Sequence, residues 1–294
     1  MKNKSNKILI LVFLVGLSLL LYPILSDLWN SRVQSKAIAT YEESVSKMTQ
    51  EDYTAYWEAA NEYNKRLLTK TNRYYLSESD KKEYENILST DDTGIMGYVE
   101  IPVINVSLPI YHGISDEVLQ VAIGHIEGTS LPVGGPSTHC AISGHRGLPS
   151  AKLFTNLDKM EEGDIFLIHT LDDVLAYQVD RILIVEPEDV SGLEIEENKD
   201  YCTLITCTPY GINSHRLLVR GERIEYNENT IEQLVFKGDA NHIEPIKVAP
   251  VIAVPILVIL FIWLLWSTRD KNNKSNKVSN KETSRRRRNR KGGK

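Results

Sequence analysis

Cysteine is scarce in this sequence, and the motifs that commonly give it a metal-binding role are missing. The 294-residue chain has three cysteines and contains neither a CxxC pair nor an HExxH motif. A zinc site is therefore not expected. An odd number of cysteines also argues against a disulfide framework, because at least one thiol is left unpaired.

Several other common signals are absent. There is no GxSxG sequence around a serine nucleophile, no Gly-rich phosphate loop and no internal repeat. What is present is the composition of an ordinary globular chain, with 42% hydrophobic and 25% charged residues. That composition excludes wholesale disorder, a collagen-like fibre and a transporter with many membrane spans.

Charge is distributed unevenly along the chain. The formal net charge is −5, yet residues 1–25 carry +3 and residues 267–294 carry +10, so the segment between them carries −18. An acidic central segment argues against binding of nucleic acid through that segment.

Two uncharged apolar runs, residues 8–25 and 248–266, separate the acidic segment from the basic ends. Each run is close to the roughly 20 residues that a membrane-spanning helix needs. The alternative for the first run is a cleaved signal peptide, but the Ala-x-Ala site at residues 37–39 lies well beyond it. We therefore expect two membrane spans in the cell membrane, with both termini cytoplasmic and the acidic segment extracellular.

The extracellular segment changes character near Gly94. Apolar spacings of three and four over residues 36–68 predict a helical arm, and Ser77 begins a second short helix that ends near Leu88. From Gly94 onward, short β-rich runs broken by turn residues predict a mainly β fold, either a barrel or a sandwich. The predicted strands are 98–104, 106–111, 138–143, 164–170, 174–185, 201–208 and 216–224, with helices at 115–123 and 150–159.

Three short stretches contain residues suited to catalysis: SGHRG around His145, TCTP around Cys207 and HRLLVRG beginning at His215. If the last two belong to an antiparallel hairpin, Arg216 lies opposite Cys207, and His145 meets them at the same rim. A thiolate attacks, an imidazole transfers protons and a guanidinium stabilises an oxyanion. Together these groups would support acyl transfer through a thioester.

Each of these residues also has an ordinary explanation. A single cysteine at a strand end is usually structural, a histidine usually packs or lies on the surface, and an arginine on a strand face is usually solvated. Arg220 has the same strand parity as Arg216 and is the rival arginine. Spacing alone leaves the catalytic and the structural interpretations open.

At these stretches the sequence resembles the sortases, most closely the class C, pilin-polymerising sortases of Gram-positive bacteria. The resemblance covers about residues 94–224 and includes GIMGYVEIP, LPIYHG, GHIEGTSLPVGG, SGHRGLPSAKLF and LITCTPYGINSHRLLVRG. It implies an eight-stranded sortase-type β-barrel. It also implies that His145 is the acid/base, Cys207 the nucleophile and Arg216 the oxyanion or substrate-orienting residue.

The resemblance further implies a reaction and its partners. A sortase cysteine attacks the Thr–Gly bond of an LPXTG-like sorting signal, and a lysine amine of the next pilin subunit resolves the acyl-enzyme as an isopeptide bond. The expected partners are pilin subunits and the lipid bilayer, without nucleic acid, and no metal or other cofactor is expected. The alternatives are a cell-wall-anchoring sortase, a simple thiol protease and a non-catalytic membrane scaffold or adhesin.

Residues beside the site have secondary assignments. Thr206, Thr208 and His215 flank the candidate nucleophile and arginine and are candidates for substrate binding. The backbone amide of Thr208 is a further candidate donor to the oxyanion. Residues expected to serve packing are His125, His139, Cys140 and Cys202.

One stretch departs from the class C pattern. Class C relatives commonly carry an Asp-Pro-aromatic lid before the barrel, whereas residues 68–76 (LTKTNRYYL) contain neither aspartate nor proline. Arg73, Tyr74 and Tyr75 are the lid-like candidates, and Arg73 is expected to repel Arg216. We therefore expect a loose or absent lid over an open site.

These inferences divide the chain into seven segments. The membrane-related segments are a cytoplasmic N terminus (1–7), a transmembrane anchor (8–25), a second transmembrane helix (248–266) and a basic cytoplasmic tail (267–294). The extracellular segments are a helical arm with the lid-like stretch (26–93), the catalytic barrel (94–226) and a juxtamembrane linker (227–247).

Overall fold

The structure is a computed structural model that describes residues 2–90, 93–226, 252–264 and 266, with side chains from residue 8 onward. The predicted linker at 227–247, the first residues of the second apolar run and the basic tail lie outside the described residues. The chain forms two compact units, one made of residues 1–22 with 243–294 and the other of residues 23–242.

The first unit contains apolar helices. Helix α1 (Lys2–Ser46) begins there, and its part from Ile8 onward contains an apolar stretch long enough to cross a membrane. The described part of the second run forms a shorter helix, Ile252–Leu264. The rings of Phe13 and Phe261 stack with centroids 3.9 Å apart. The N-terminal helix fits a membrane anchor, whereas the second span stays a prediction.

The second unit begins with a helical arm. Helix α1 ends at Ser46 and helix α2 (Gln50–Leu67) follows, so the arm predicted as one helix is broken once. The break occurs because Thr49 forms a capping box with Asp52, in which each side chain accepts a hydrogen bond from the other residue's backbone N–H. Helix α3 (Glu78–Asn86) begins with the same motif at Ser77, as predicted.

Eight strands form the closed barrel that the resemblance implied, in the order β1-β2-β3-β4-β7-β8-β6-β5. The pairs β2–β3 and β4–β7 are parallel, and the other neighbouring pairs are antiparallel. The strands are β1 (Ile95–Ile101), β2 (Val106–His112), β3 (Ile123–His125), β4 (Thr138–Ser143), β5 (Ile165–Thr170), β6 (Asp173–Val185), β7 (Asp200–Thr208) and β8 (His215–Ile224).

Two helix predictions within the barrel region need correction. The helix predicted at 115–123 is reduced to one turn, α4 (Asp116–Leu119), because β3 begins at Ile123. The helix predicted at 150–159 is an irregular loop that ends in a 3-10 turn, Leu157–Lys159. Its apolar residues have helical spacing, but they are buried individually in the barrel core.

The two faces of β7 have different environments. Cys202 and Leu204 point into the barrel core, while Ile205 lies on the outer face. Leu193, in the 3-10 turn between β6 and β7, covers part of that outer face by packing against Ile205 and Leu218. Cys207 has the parity of Ile205, so it lies on the outer face where this cover ends.

Candidate active site

Cys207 lies at the end of β7, directly opposite Arg216 of β8 in the antiparallel pair. Both residues are half-buried. The hairpin loop between the strands contains a cis Thr208–Pro209 peptide bond. Directly opposed residues in an antiparallel pair have Cβ atoms about 5 Å apart, so a guanidinium on a long side chain is within reach of the thiol.

His145 lies two residues beyond the end of the neighbouring strand β4. The parallel register aligns Ser143 with Ile205, and the Gly144 amide donates a hydrogen bond of 3.0 Å to the Ile205 carbonyl. The alignment, continued for two residues, places half-buried His145 beside Cys207. The three predicted catalytic residues therefore belong to adjacent strand ends.

His145 differs from the other histidines that the structure describes. Among these six, it is the one whose imidazole ring has no hydrogen-bond or ion-pair partner within the described residues. The other five bond to backbone carbonyls, hydroxyls or carboxylates: His112, His125, His139, His169 and His215. An imidazole with free nitrogens is available to exchange protons with a substrate.

The two candidate arginines have different partners. Arg216 donates to the backbone carbonyls of Asn213 and His215, at 3.4 and 3.2 Å. Arg220 instead donates to the carboxylates of Asp180 and Glu196. Its guanidinium also lies 4.0 Å from the ring centroid of Tyr201 and is shielded from solvent. Arg220 is therefore held by carboxylates, whereas the partners of Arg216 among the described residues are backbone carbonyls.

Three residues were predicted to bind substrate, and the structure places them differently. Thr206 is 1% exposed, and its hydroxyl donates a 2.8 Å hydrogen bond to the Gly144 carbonyl. This corrects the prediction for Thr206, because its side chain joins β4 to β7 and is closed to substrate. The Thr208 hydroxyl accepts from Arg146 at 3.2 Å. His215 is partly exposed and lies 3.2 Å from Glu186, so it borders the site.

The lid-like segment is packed against the barrel. Arg73 donates a 2.8 Å hydrogen bond to the Leu193 carbonyl and another to the Tyr74 hydroxyl, while Tyr75 is 81% exposed. Gly128 makes the close approach possible, because a Cβ at that position would lie 2.2 Å from the Arg73 carbonyl oxygen. These contacts hold Arg73 beside Leu193, and none of the contacts described for the segment reaches Cys207. An open site without a working lid stays a prediction.

Arg146, the residue after His145, has no role in the expectations drawn from the sequence. Its guanidinium is largely buried, forms an ion pair with Asp158, donates to the Thr208 hydroxyl and lies over the ring of Tyr210. Arg146 therefore links the loop after His145 to the residue after Cys207. Arg146 is part of the SGHRG motif. The residues that it contacts are more than ten positions away in the sequence, so the motif alone does not predict these contacts.

The other two cysteines lie inside the barrel. Cys140 and Cys202 are in register on β4 and β7, and both are buried. Burial raises the pKa of Cys202 well above its ordinary value. Of the three free thiols, Cys207 alone is open to solvent. No group of three or more metal-ligating side chains is arranged to hold a metal within the described part of the chain.

A model of the sortase domain matches residues 99–224 of this chain. Sortase C1 of Streptococcus agalactiae is 48% identical in sequence, with a TM-score of 0.63, over 65% of this chain and 100% of that structure. This chain belongs to the sortase family. Sortase C of Streptococcus pneumoniae is also 48% identical, with a TM-score of 0.59, over 65% of this chain and 97% of that structure. These likenesses confirm the resemblance to class C sortases.

Curated relatives match a shorter region. Sortase D of Bacillus subtilis is 28% identical over 131 residues, which are 44% of this chain and 63% of that protein. Sortase A of Staphylococcus aureus is 28% identical over 138 residues, 46% of this chain and 65% of that protein. The matched region therefore spans less than two thirds of the length of either relative. The sortase family is one of cysteine transpeptidases, which agrees with a half-buried thiol at the strand end.

Proposed function

We propose that this protein is a membrane-anchored cysteine transpeptidase that builds covalent pili from subunits with LPXTG-like sorting signals. The observation that carries the proposal is the placement of Cys207 opposite Arg216, with His145 two residues beyond the end of the adjacent strand β4. The His145 imidazole has no partner among the described residues. The 48% identity to the two streptococcal class C structures supports the pilin branch of the family, since one of them is described in terms of pilin substrate specificity.

In the first half of the reaction, the Cys207 thiolate attacks the threonine carbonyl carbon of the sorting signal. The negative charge that develops on the carbonyl oxygen is stabilised by the Arg216 guanidinium, a permanent cation with several donors. The Thr–Gly bond breaks, and His145 supplies the proton that the departing glycine amine needs. The product is a thioester between the threonine carbonyl and Cys207.

In the second half, a lysine amine of the next pilin subunit attacks the thioester carbonyl. His145, now neutral, accepts a proton from that amine, and the thiolate leaves as the isopeptide bond forms. Arg216 stabilises the second oxyanion in the same position. The site at the strand ends is half-exposed, which gives the acceptor subunit access to the acyl group.

The membrane arrangement is part of the proposal. The apolar start of α1 supports an N-terminal anchor, and the basic flanks of both apolar runs support cytoplasmic termini around an extracellular barrel. An extracellular barrel places the thiol on the side of the membrane where exported pilin subunits emerge.

The test uses the full chain in detergent micelles with an LPXTG peptide. We expect mass spectrometry to show an acyl adduct on Cys207 with the wild-type protein and none with Cys207→Ala. Addition of a peptide that carries the pilin acceptor lysine should release the adduct as a branched product. Release by a cell-wall peptide amine alone would favour the wall-anchoring alternative, and release by water alone would favour a protease. Unchanged pilus assembly with Cys207→Ala would favour the scaffold.

A further inference from the structure

Helix α1 makes directed contacts with the barrel immediately after its apolar run. Asn30 donates a hydrogen bond of 2.7 Å from its side-chain amide to the Ser150 carbonyl. The backbone amide of Lys152 donates one of 2.9 Å to the Asp27 carboxylate. Asp27 and Asn30 lie three positions apart and so share one face of the helix. Both residues lie within two helical turns of Leu25, the last residue of the apolar run.

The same face changes from polar to apolar along the helix. Gln34 is buried on this face and donates a 2.6 Å hydrogen bond to the Val121 carbonyl. Beyond it the buried residues are Ile38, Tyr41 and Val45, which pack against the barrel. Apolar packing fixes distance without fixing direction, whereas a hydrogen bond requires a particular donor and acceptor geometry. Polar residues at positions 27 and 30 therefore set the position of particular backbone groups.

Those backbone groups belong to the loop that follows His145, residues 146–154. At its base, the Phe154 amide donates a 3.1 Å hydrogen bond to the His145 carbonyl, so the loop returns to the histidine. Asp27 and Asn30 bind the far part of the loop at Lys152 and Ser150. The loop is therefore held at its base by its own backbone and in its second half by α1.

The backbone between the two attachment points is strained. Leu153 has a φ of +41°, in a region that a leucine rarely adopts. Its neighbours on either side, Lys152 and Phe154, donate the two backbone hydrogen bonds just described. A strained conformation persists when surrounding contacts over-determine it, and such strain is concentrated near functional sites. Loss of the Asp27 contact would let this part of the loop relax.

We propose that Asp27 and Asn30 are positioning residues, which hold the loop 146–154 so that His145 faces Cys207. The juxtamembrane part of α1 thereby becomes a support for the active site as well as a connection to the anchor. The inference rests on the proposed function, because it assigns the loop's importance to the proton-transfer role of His145. A misplacement of about 1 Å in a catalytic group costs on the order of 10²-fold in rate, so a partial loss of support has a measurable effect.

The test compares the full-length chain with the double variant Asp27→Ala/Asn30→Ala in the same micelles. The matched control is Arg32→Ala/Ser35→Ala, which removes one charged and one polar side chain with the same spacing from the exposed face of α1. We expect kcat for transpeptidation to fall about tenfold or more in the first variant, with KM for the sorting peptide unchanged. The control should keep the wild-type kcat.

A rescue variant separates positioning from general stability. The single variant Asp27→Asn, in which Asn30 is unchanged, keeps an acceptor oxygen for the Lys152 amide. It should therefore keep most of the wild-type kcat. Hydrogen exchange of the amides in residues 147–154 should be faster in the alanine pair and close to wild type in the rescue variant. This exchange measurement does not depend on activity, so it tests the attachment even if the proposed reaction is wrong.

Wild-type kcat and loop exchange in the alanine pair would overturn the inference. A fall in kcat that Asp27→Asn does not restore, accompanied by a lower melting temperature, would overturn it in favour of a purely structural role. The proposed function fails by a different result, namely the absence of an acyl adduct on Cys207 in the wild-type protein.

Discussion

The outer face of the β7–β8 hairpin has two ends that use similar residues differently. The open end is the strand terminus where Cys207 lies opposite Arg216, with His145 just beyond the end of β4. Within the part of the chain that the structure describes, none of these three side chains pairs with a carboxylate. The closed end lies toward the start of β7, where Thr203 is paired in register with Arg220. The open end comprises Cys207, His145 and Arg216, and the closed end comprises Thr203, His139 and Arg220.

At the closed end the side chains of Thr203, His139 and Arg220 all have hydrogen-bond partners. His139 is buried with one ring nitrogen 2.7 Å from the Glu194 carbonyl and the other 2.7 Å from the Thr203 hydroxyl. Arg220 is neutralised by Asp180 and Glu196. Residue type alone therefore does not distinguish a structural cluster from a reactive one. What separates them is whether the polar atoms have partners of their own.

The largest expected difference concerns thiol reactivity. Under native conditions, an alkylating reagent should modify Cys207 at least about 10³-fold faster than Cys140 or Cys202, because a buried thiol reacts only when the barrel opens. The measurement is the intact mass over time, which should increase by one adduct, and by three after denaturation. Rapid labelling of two or three thiols in the folded protein would contradict the assignment of the inner thiols to the core.

The next difference concerns the two arginines in catalysis. Arg216→Ala should lower kcat/KM by about 10²-fold or more, because it removes the cation that we propose stabilises the oxyanion. Arg216→Lys should recover only part of the lost kcat/KM, since an ammonium lacks the planar donor fork of a guanidinium. Peptide-cleavage kinetics measure both effects. Equal kinetics for Arg216→Ala and wild type would assign the oxyanion role to another group.

The converse is expected at the closed end. Arg220→Ala should lower the free energy of unfolding by about 2 kcal/mol, because Asp180 and Glu196 lose their charged partner at a partly buried position. Denaturant titration measures the change. The kcat of the protein that remains folded should stay within about twofold of wild type. A loss of kcat without a loss of stability would make Arg220 the catalytic arginine.

Much of this arrangement follows from the sequence. Seven of the eight strands were predicted near their observed positions because alternating side chains and turn residues mark them. The missed strand, β3 (Ile123–His125), has three residues, too few to show a period of two. Its existence depends on pairing with β2 and β4, which local sequence does not reveal.

The candidate site was predicted less completely than the fold. Opposition of Cys207 and Arg216 followed from hairpin geometry, because their separation along the chain is short. The partners of His139 and Arg220 come from distant segments, so sequence spacing could not show which end of the hairpin is satisfied. The irregular loop after His145 was mistaken for a helix for the same reason, since contacts from α1 and the core determine its path.

The smallest expected effect is a pH dependence of stability that originates at the closed end. Burial lowers the pKa of His139 from its ordinary value of 6.5 to about 4, so the unfolded chain gains a proton below pH 6.5 that the folded protein does not. The contribution of His139 to the free energy of unfolding is therefore fully present above pH 6.5 and is lost as the pH falls toward 4. Between pH 7 and pH 5.5 this loss is about 1 kcal/mol.

The variant His139→Gln should reduce the fall in unfolding free energy between pH 7 and pH 5.5 by that amount. Denaturant titrations at the two pH values measure the difference, and all other titrating groups are common to both proteins. The same comparison between pH 7 and pH 8.5 provides the control, because His139 is neutral in both states there. If the unfolding free energy of His139→Gln falls below pH 7 by as much as that of the wild type, His139 is protonated in the folded protein. In that case the closed end would hold an uncompensated positive charge beside Arg220, and the distinction between the two ends would fail.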